Sequence, residues 1–395
     1  MWTIPAFTSD RLQALVVVVA TRVGYWAAVL VALLWAPIRT GFPVHAAYGR
    51  RTDFIFGAFD QWDANWFLRI AQHGYDTKQS ASFFPLYPLL TRGLAFVLRS
   101  NLVAGVAISL LAAGFAGVAV LRIARRYAGD RVAHDSVLFL ALYPISFVFT
   151  AVYSDGLFLA LAAWAFVFAL DGRVTPAAVL GALAVLTRPT GLALLPALVW
   201  VLWPRPVLRL SPLLLLPAAL AGYCVYLHEH FGDAFAFVHS EGSFWLRHVP
   251  ATGPLGGAWD ALKSGKDGVA QLVLHLPPGS GAGSGFGKPE QFAIWNVAQL
   301  VLLVAACALT WVCWRNVDRA AALYSATTIV LFLSAPAAVV PLVSEPRFLI
   351  GDFPLFITLA AVSAVRPRLR TFVVVSFAAV GLLAAVGFAH GIWIS

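Results

Sequence analysis

The sequence predicts an all-α protein, a polytopic bundle of about eleven membrane-spanning helices. Three observations carry that prediction. Of 395 residues, 61% are hydrophobic and only 11% are charged, an apolar share that soluble domains rarely reach. Several apolar stretches exceed about 18 residues, the length that crosses a bilayer core of roughly 30 Å. The runs are continuous, whereas strands of a membrane β-barrel alternate apolar and polar residues.

The first stretch, 12–37, is too long for the core of a signal peptide and lacks a clear cleavage site, so it reads as an uncleaved first span. Further spans are predicted over 101–122, 136–153, 155–171, 175–187, 190–204, 211–228, 292–314, 319–341, 347–365 and 370–393. Residues 84–98 are short, carry Pro85 and Pro88, and place Arg92 near their middle. A charge at the centre of a span costs about 2.5–3.5 kcal/mol on insertion scales, so an interfacial or re-entrant helix is predicted there. The spans around Pro189 and Pro196 are short and broken. Broken membrane helices line cavities, because their freed backbone groups need partners. The expected division is a transmembrane module over 1–228, a loop or small subdomain over 229–291, and C-terminal helices over 292–395.

The net charge is +9, carried by 23 Arg and 4 Lys. Nucleic-acid binding is not predicted, because Arg collects in short loops as the positive-inside rule expects. With 84–98 at the surface, Arg122, Arg125, Arg126 and Arg131 share a face with Arg173, with Arg205 and Arg209, and with Arg315 and Arg319. Arg366, Arg368 and Arg370 fall on it too, and by the rule it is cytoplasmic. The segments 38–100 and 229–291 then lie outside, with the N-terminus inside and the C-terminus outside. Cys224, Cys307 and Cys313 form no CxxC and read as small core residues. The patch "PPGSGAGSGFGKP" fails the phosphate-loop spacing at Ala282 and Pro289, leaving a flexible external loop. His45, His73, His228, His230, His239, His248 and His275 invite a metal reading. His228 and His230, the closest pair, point to different faces of a helix, and neither a metal site nor a required cofactor is predicted.

Three clusters could carry chemistry. The stretch "FDQWDANWFLRIAQHGY", 59–75, predicts a surface helix with Asp60 and Asp63 on one face. Phe67 and Ile70 continue the Asp63 face, and Trp62, Trp66, Arg69 and His73 form an adjacent stripe. A carboxylate in an apolar, aromatic setting has a raised pKa and suits a general base. Aromatic faces beside it suit sugars or prenyl chains; a plain interfacial anchor accounts for the same residues equally well. Tyr153, Ser154 and Asp155 stand at a helix start, where Asp155 is either an ordinary cap or an acid reaching the same cavity. Arg188 in "LTRPTG" is costly at membrane depth unless it meets an anion, either Asp155 or a lipid phosphate. Arg347 in "SEPRFL", near Glu345, is a similar candidate; Arg22 is expected to snorkel or to pair within the bundle.

In order, "WDANWFLRIAQHGY", "SFFPLYPLL", "YPISFVFTAVYSDGLFLAL" and "LTRPTGLALLPAL" resemble the second mannosyltransferase of GPI-anchor synthesis, the PIG-V type, and its bacterial relatives in the GT-C superfamily. The resemblance covers roughly 12–205, with "EPRFLIGDFPLF" a weaker echo. It implies a glycosyltransferase in the bacterial plasma membrane. The enzyme would move a sugar, mannose first, from a polyprenyl-phosphate carrier to a lipid or glycan acceptor on the external face. The family's essential first-loop carboxylate falls on Asp63, with Arg188 and Arg347 toward the donor phosphate. Asp60, Trp62, Trp66, His73, Tyr153 and Asp155 are expected at the acceptor or sugar. "YSDG" departs from the family's "YSES" at Asp155. The rival readings are another polyprenyl-linked sugar donor, or a lipid or sugar transporter. Acids gathered at the outer boundary and two large external segments favour the enzyme.

Overall fold

The computed structural model describes residues 6–35, 56–203, 205–274 and 289–394. His45, His275, the Gly-rich patch up to residue 288 and the first-loop residues 38–55 lie outside them. Within the described residues the regular elements are helical, with one isolated bridge between Arg247 and Ala337.

Five helical stretches are long and apolar enough to cross a membrane: Leu12–Trp35 in α1 (Ala6–Trp35), α4 (Asn101–Leu142), Val207–Phe231, Glu290–Asn316 and Pro367–Ala389. The last three fall in α8 (Leu215–Phe231) with the 3-10 turns before it, α11 (Pro289–Asn316) and α15 (Pro367–Ala389). The remaining expected spans are shorter helices. They are α5 (Asp155–Leu170), α6 (Val174–Val185), α7 (Leu194–Leu202), α12 (Arg319–Leu333) and α14 (Phe353–Ala364). At 1.5 Å per residue, their 9–16 residues cover about 14–24 Å, short of a full bilayer core.

Proline explains much of the shortening. The two spans expected at 101–122 and 136–153 are one long α4, kinked at Gly129 (φ 80°, ψ 177°). That helix stops at Leu142, because Pro144 pushes Tyr143 out of the helical region (ψ 136°). The chain then runs through a turn and a 3-10 piece, Ser146–Phe149, to reach Asp155. The expected 347–365 span is likewise split into α13 (Glu345–Ile350) and α14, which restarts behind Asp352 with Pro354 in its first turn. Between α6 and α7, Pro189 holds Arg188 extended (φ −156°, ψ 139°). Gly191 lets this break fold back on α6, since a Cβ there would lie 2.6 Å from the Val185 nitrogen.

The 59–75 stretch is not one helix. A 3-10 turn, Gly57–Phe59, is followed by Asp60 and by Trp62 at φ 58°, ψ −115°; helix α2 (Asp63–His73) begins only at Asp63. Phe59 packs on Trp26 at 5.5 Å and Phe67 on Tyr87 at 5.0 Å, pinning the chain on both sides of the break. Asp60 and Asp63 therefore do not share a helix face. Asp63, Phe67 and Ile70 do share one, and it is buried. Helix α3 (Leu86–Leu98) is 13 residues long, with Leu89, Phe96 and Val97 exposed and Arg92 at the surface.

One apolar core runs from Ala14 in α1 to Phe388 and Ala389 in α15, so the 1–228 segment and the C-terminal helices share it. The described part of the 229–291 segment holds two helices, α9 (Ala236–Trp245) and α10 (Pro254–Leu274), joined by a non-helical stretch that includes Arg247. Helix α10 presses on α11, and a Cβ at Gly268 would stand 2.8 Å from the Ala293 carbonyl oxygen. Arg22 pairs within the bundle, donating to the carbonyls of Ser146 and Ala141 and to Ser146 Oγ. Cys313 is buried, but Cys307, expected in the core, is exposed on the surface of α11.

Candidate active site

A cavity of about 520 Å³ opens where the start of α2, the α6–α7 break, α9 and the α12–α13 connection meet. Its charged floor comes from the breaks just described. Asp63 is the first residue of α2, where the positive end of the helix favours a carboxylate. Asp155 is the first residue of α5. Arg188 is presented by the extended residue before Pro189, and Arg347 by the short α13, entered through Ser344 at φ 66°.

These four side chains form an alternating chain of charge. Arg347 Nη1 donates to Asp63 Oδ2, and its Nη2 donates to Asp155 Oδ2 at 3.1 Å. Arg188 Nη1 donates to the other Asp155 oxygen and lies 3.5 Å from the Arg347 carbonyl. Two carboxylates face two guanidiniums, so the formal charge sums to zero. Asp155 is fully buried and does not line the cavity, whereas Asp63, Arg188 and Arg347 do. The guanidinium of Arg347 lies 4.6 Å from the centre of the Tyr153 ring. The Tyr153 hydroxyl accepts from the Asp63 N–H and donates to the Gln61 carbonyl, both at 3.3 Å. Tyr153 thus fixes the first turn that carries Asp63.

The other expected residues separate. Trp62 lines a small neighbouring pocket with Asp63, Tyr153 and Trp393. Trp66 stacks on Phe83 at 5.6 Å, with the Arg69 guanidinium 5.8 Å from its ring centre, and Arg69 pairs with Asp76 at 2.9 Å. Asp60 is buried outside the cavity lining, and His73 is exposed at the far end of α2. Glu345 is fully buried and also outside the lining. His230 bonds the Tyr75 carbonyl at 2.6 Å, and His239 pairs with Asp233. Among the described residues no three His, Cys, Asp or Glu side chains converge on one point.

The opposite wall of the cavity was not anticipated. Glu241 on α9 and Arg247 just beyond it form an ion pair at 3.0 Å, beside Phe237 and Trp245. Burial pushes the Glu241 carboxyl up; Arg247 pulls it back, and the Asp63 charge pushes it up again. Burial lowers the Arg247 guanidinium and Glu241 opposes that. The signal was present in "FVHSEGSFWLRH", where acid, base and aromatics crowd together as they do in 59–75.

A family model described as mannosyltransferase (PIG-V) matches residues 9–207. The chain belongs to the PIG-V mannosyltransferase family. No curated protein matches it significantly. As a member of the PIG-V family it is an integral membrane glycosyltransferase, which requires a sugar donor and an acceptor. The PIG-V match includes Asp63, Asp155 and Arg188, while Arg347, Glu241 and Arg247 lie beyond it. The cavity therefore joins residues inside the matched range to residues beyond it.

Proposed function

We propose that the enzyme moves a mannosyl unit from a polyprenyl-phosphate carrier to a hydroxyl of a lipid-linked or glycan acceptor, with inversion at the anomeric carbon. The observation that carries this reading is the placing of one carboxylate, Asp63, and two guanidiniums, Arg188 and Arg347, on the wall of a single cavity. In the step, Asp63 takes the proton of the acceptor hydroxyl. Its oxygen forms the bond to the anomeric carbon as the bond from that carbon to the phosphate oxygen breaks. The polyprenyl phosphate leaves with one more negative charge than it had in the donor. Arg188 and Arg347 stabilise that growing charge, as preformed donors do in a site shielded from water. They supply the positive charge that the leaving group needs, so no metal enters the proposal.

The ion pairs support an order of events. Arg347 is paired with both Asp63 and Asp155. A phosphate near Arg347 competes with Asp63 for the guanidinium and frees that carboxylate to accept a proton. Asp155 keeps both guanidiniums in place throughout and acts as a positioning residue.

The arginines support a reaction on the external face. Arg122 and Arg126 pair with Asp171, which follows the last turn of α5, while Asp155 starts that helix at the cavity. Sixteen residues put about 24 Å between them, and assigning the arginine end to the cytoplasm by the positive-inside rule supports an external cavity.

The test is transfer by the purified protein from polyprenyl-phosphomannose to candidate acceptors, for the native chain and for Asp63→Asn. A general base contributes roughly 10²–10⁴-fold, and a loss of that size is expected in the variant with donor binding retained. Full transfer by Asp63→Asn removes Asp63 as the base. Absence of transfer from any polyprenyl-linked sugar, with substrate movement across vesicles, replaces the enzyme by a transporter.

A further inference from the structure

The α9 wall of the cavity carries a charged pair that the transfer step does not use. Arg247 is spent on structure: its Nε meets Glu241 Oε2 at 3.0 Å, Nη1 donates to the Ala335 carbonyl at 2.8 Å, and Nη2 to the Val343 carbonyl at 2.9 Å. Its side chain is only 11% exposed, and offering its fork to a phosphate would break all three contacts. Glu241 differs. Its side chain is 33% exposed, it lines the cavity, Arg247 holds one of its two oxygens, and the Ser82 side chain bonds it as well. An ionised carboxylate has about four lone-pair sites and only accepts, so beside these two partners it keeps room for hydroxyl donors. It also repels a phosphate, which leaves the polyhydroxylated end of a donor as its match.

We propose that Glu241, held in place by Arg247, reads the hydroxyl pattern of the sugar ring carried by the donor. The inference rests on the glycosyl-transfer reading above and assigns that cavity its specificity residue. Three further features support it. Asp63 and Glu241 line the same cavity, so a sugar bound beside the base is also within that cavity's reach of Glu241. Phe83, Phe237 and Trp245 line the same cavity and offer apolar faces to the C–H side of a ring whose hydroxyl edge meets the carboxylate.

The third feature is backbone strain. Leu246, between the helix and Arg247, is held at φ 54°, ψ 31°, a left-handed conformation unfavourable for leucine. Such strain persists only where surrounding contacts over-determine it, and it clusters at functional sites. Here Ala338 N–H donates to the Leu246 carbonyl at 3.1 Å and His248 N–H to the Pro336 carbonyl at 3.0 Å. On its other side α9 is fastened by Ser240 Oγ to the Lys78 carbonyl at 2.5 Å. Glu241 is thus fixed between two separate segments, with Arg247 as its positioning residue.

The experiment uses the full-length protein with polyprenyl-phosphomannose and the four donors lacking one ring hydroxyl each or the 6-hydroxyl. In the native chain, at least one deoxy donor is expected to lose about 10–100-fold in kcat/KM, the range of a hydrogen bond to a charged group. Glu241→Gln is expected to lose a similar factor on the parent donor and nothing further on that deoxy donor. Arg247→Lys is expected to narrow the same ratio, a change that a purely structural role would not produce. Glu241→Asp serves if the glutamine variant does not fold, and its discrimination is expected to fall between the two. Unchanged discrimination in the folded variant, or a change confined to the acceptor, overturns the proposal. Binding of methyl α-mannoside and its deoxy analogues, read by tryptophan fluorescence, separates the two readings. Glu241-dependent preference without any transfer removes the transfer reading and leaves this one standing.

Discussion

The two ends of the bundle use the same residue types to opposite effect. At the end away from the cavity, Arg125 pairs with Asp130 and both Arg122 and Arg126 with Asp171, and Asp130 is 73% exposed. Exposed pairs of this kind contribute about 0.2–1 kcal/mol. At the cavity end, Asp63, Asp155, Arg188 and Arg347 are between 0% and 14% exposed. Charges removed from water lose several kcal/mol each, and their mutual attraction offsets that only when all are matched. Backbone strain divides the same way. Of the four described non-glycine residues at positive φ, Trp62, Leu246 and Ser344 lie beside the cavity and Arg99 does not; Leu246 and Arg99 both end their helices as left-handed caps. Stability explains the exposed end. At the cavity end, unfavourable desolvation and strain are concentrated around one hole, the expected cost of holding reactive groups in a fixed geometry.

The largest way to break that contrast is Asp155→Ala. It leaves two guanidiniums facing one another with only Asp63 between them and solvent. Removing one partner of a buried pair costs about 3–5 kcal/mol, so thermal unfolding in detergent should show a clear loss and transfer should fall with it. A loss below about 1 kcal/mol would put Asp155 in the same class as the exposed pairs.

Next in size is Arg347→Lys. A lysine presents one point charge where arginine's fork reaches Asp63 and Asp155 at once. Turnover should fall about 10²-fold, within the range for losing one preformed charge-stabilising donor, with a smaller change in KM. Arg188→Lys should cost less, because Arg188 contacts only one of the two acids. The reverse ranking would shift the phosphate site toward Arg188.

Much of this was legible in the sequence. Asp63, Arg188 and Arg347 stood out because a charge beside an apolar run needs a reason. Their convergence was not legible, since Arg347 meets Asp155 across 192 residues. The shared face of Asp60 and Asp63 failed at Trp62, whose positive φ has no compositional signal when the residue is not glycine. The breaks inside the expected spans were not legible, because Pro144, Pro189 and Pro354 sit within runs whose apolar composition continues across them. Glu241 and Arg247 were overlooked because their segment has neither a span's length nor a family block to frame it, although its crowding of charge with aromatics matched that of 59–75.

The smallest expected effect, Asp130→Asn, tests the other half of the contrast. Asp130 follows the Gly129 kink and starts the second part of α4, so the substitution there keeps the side chain's shape. Asparagine does so and removes the charge pairing with Arg125. Stability should change by no more than about 0.5–1 kcal/mol, and transfer should be unaltered. Added salt should shrink even that difference, because exposed charges are screened while the cavity pairs are not. A drop as large as that of Asp155→Ala, insensitive to salt, would mean that the kink itself depends on the Arg125 pair. The two ends would then differ in exposure but not in how much the fold relies on their charges.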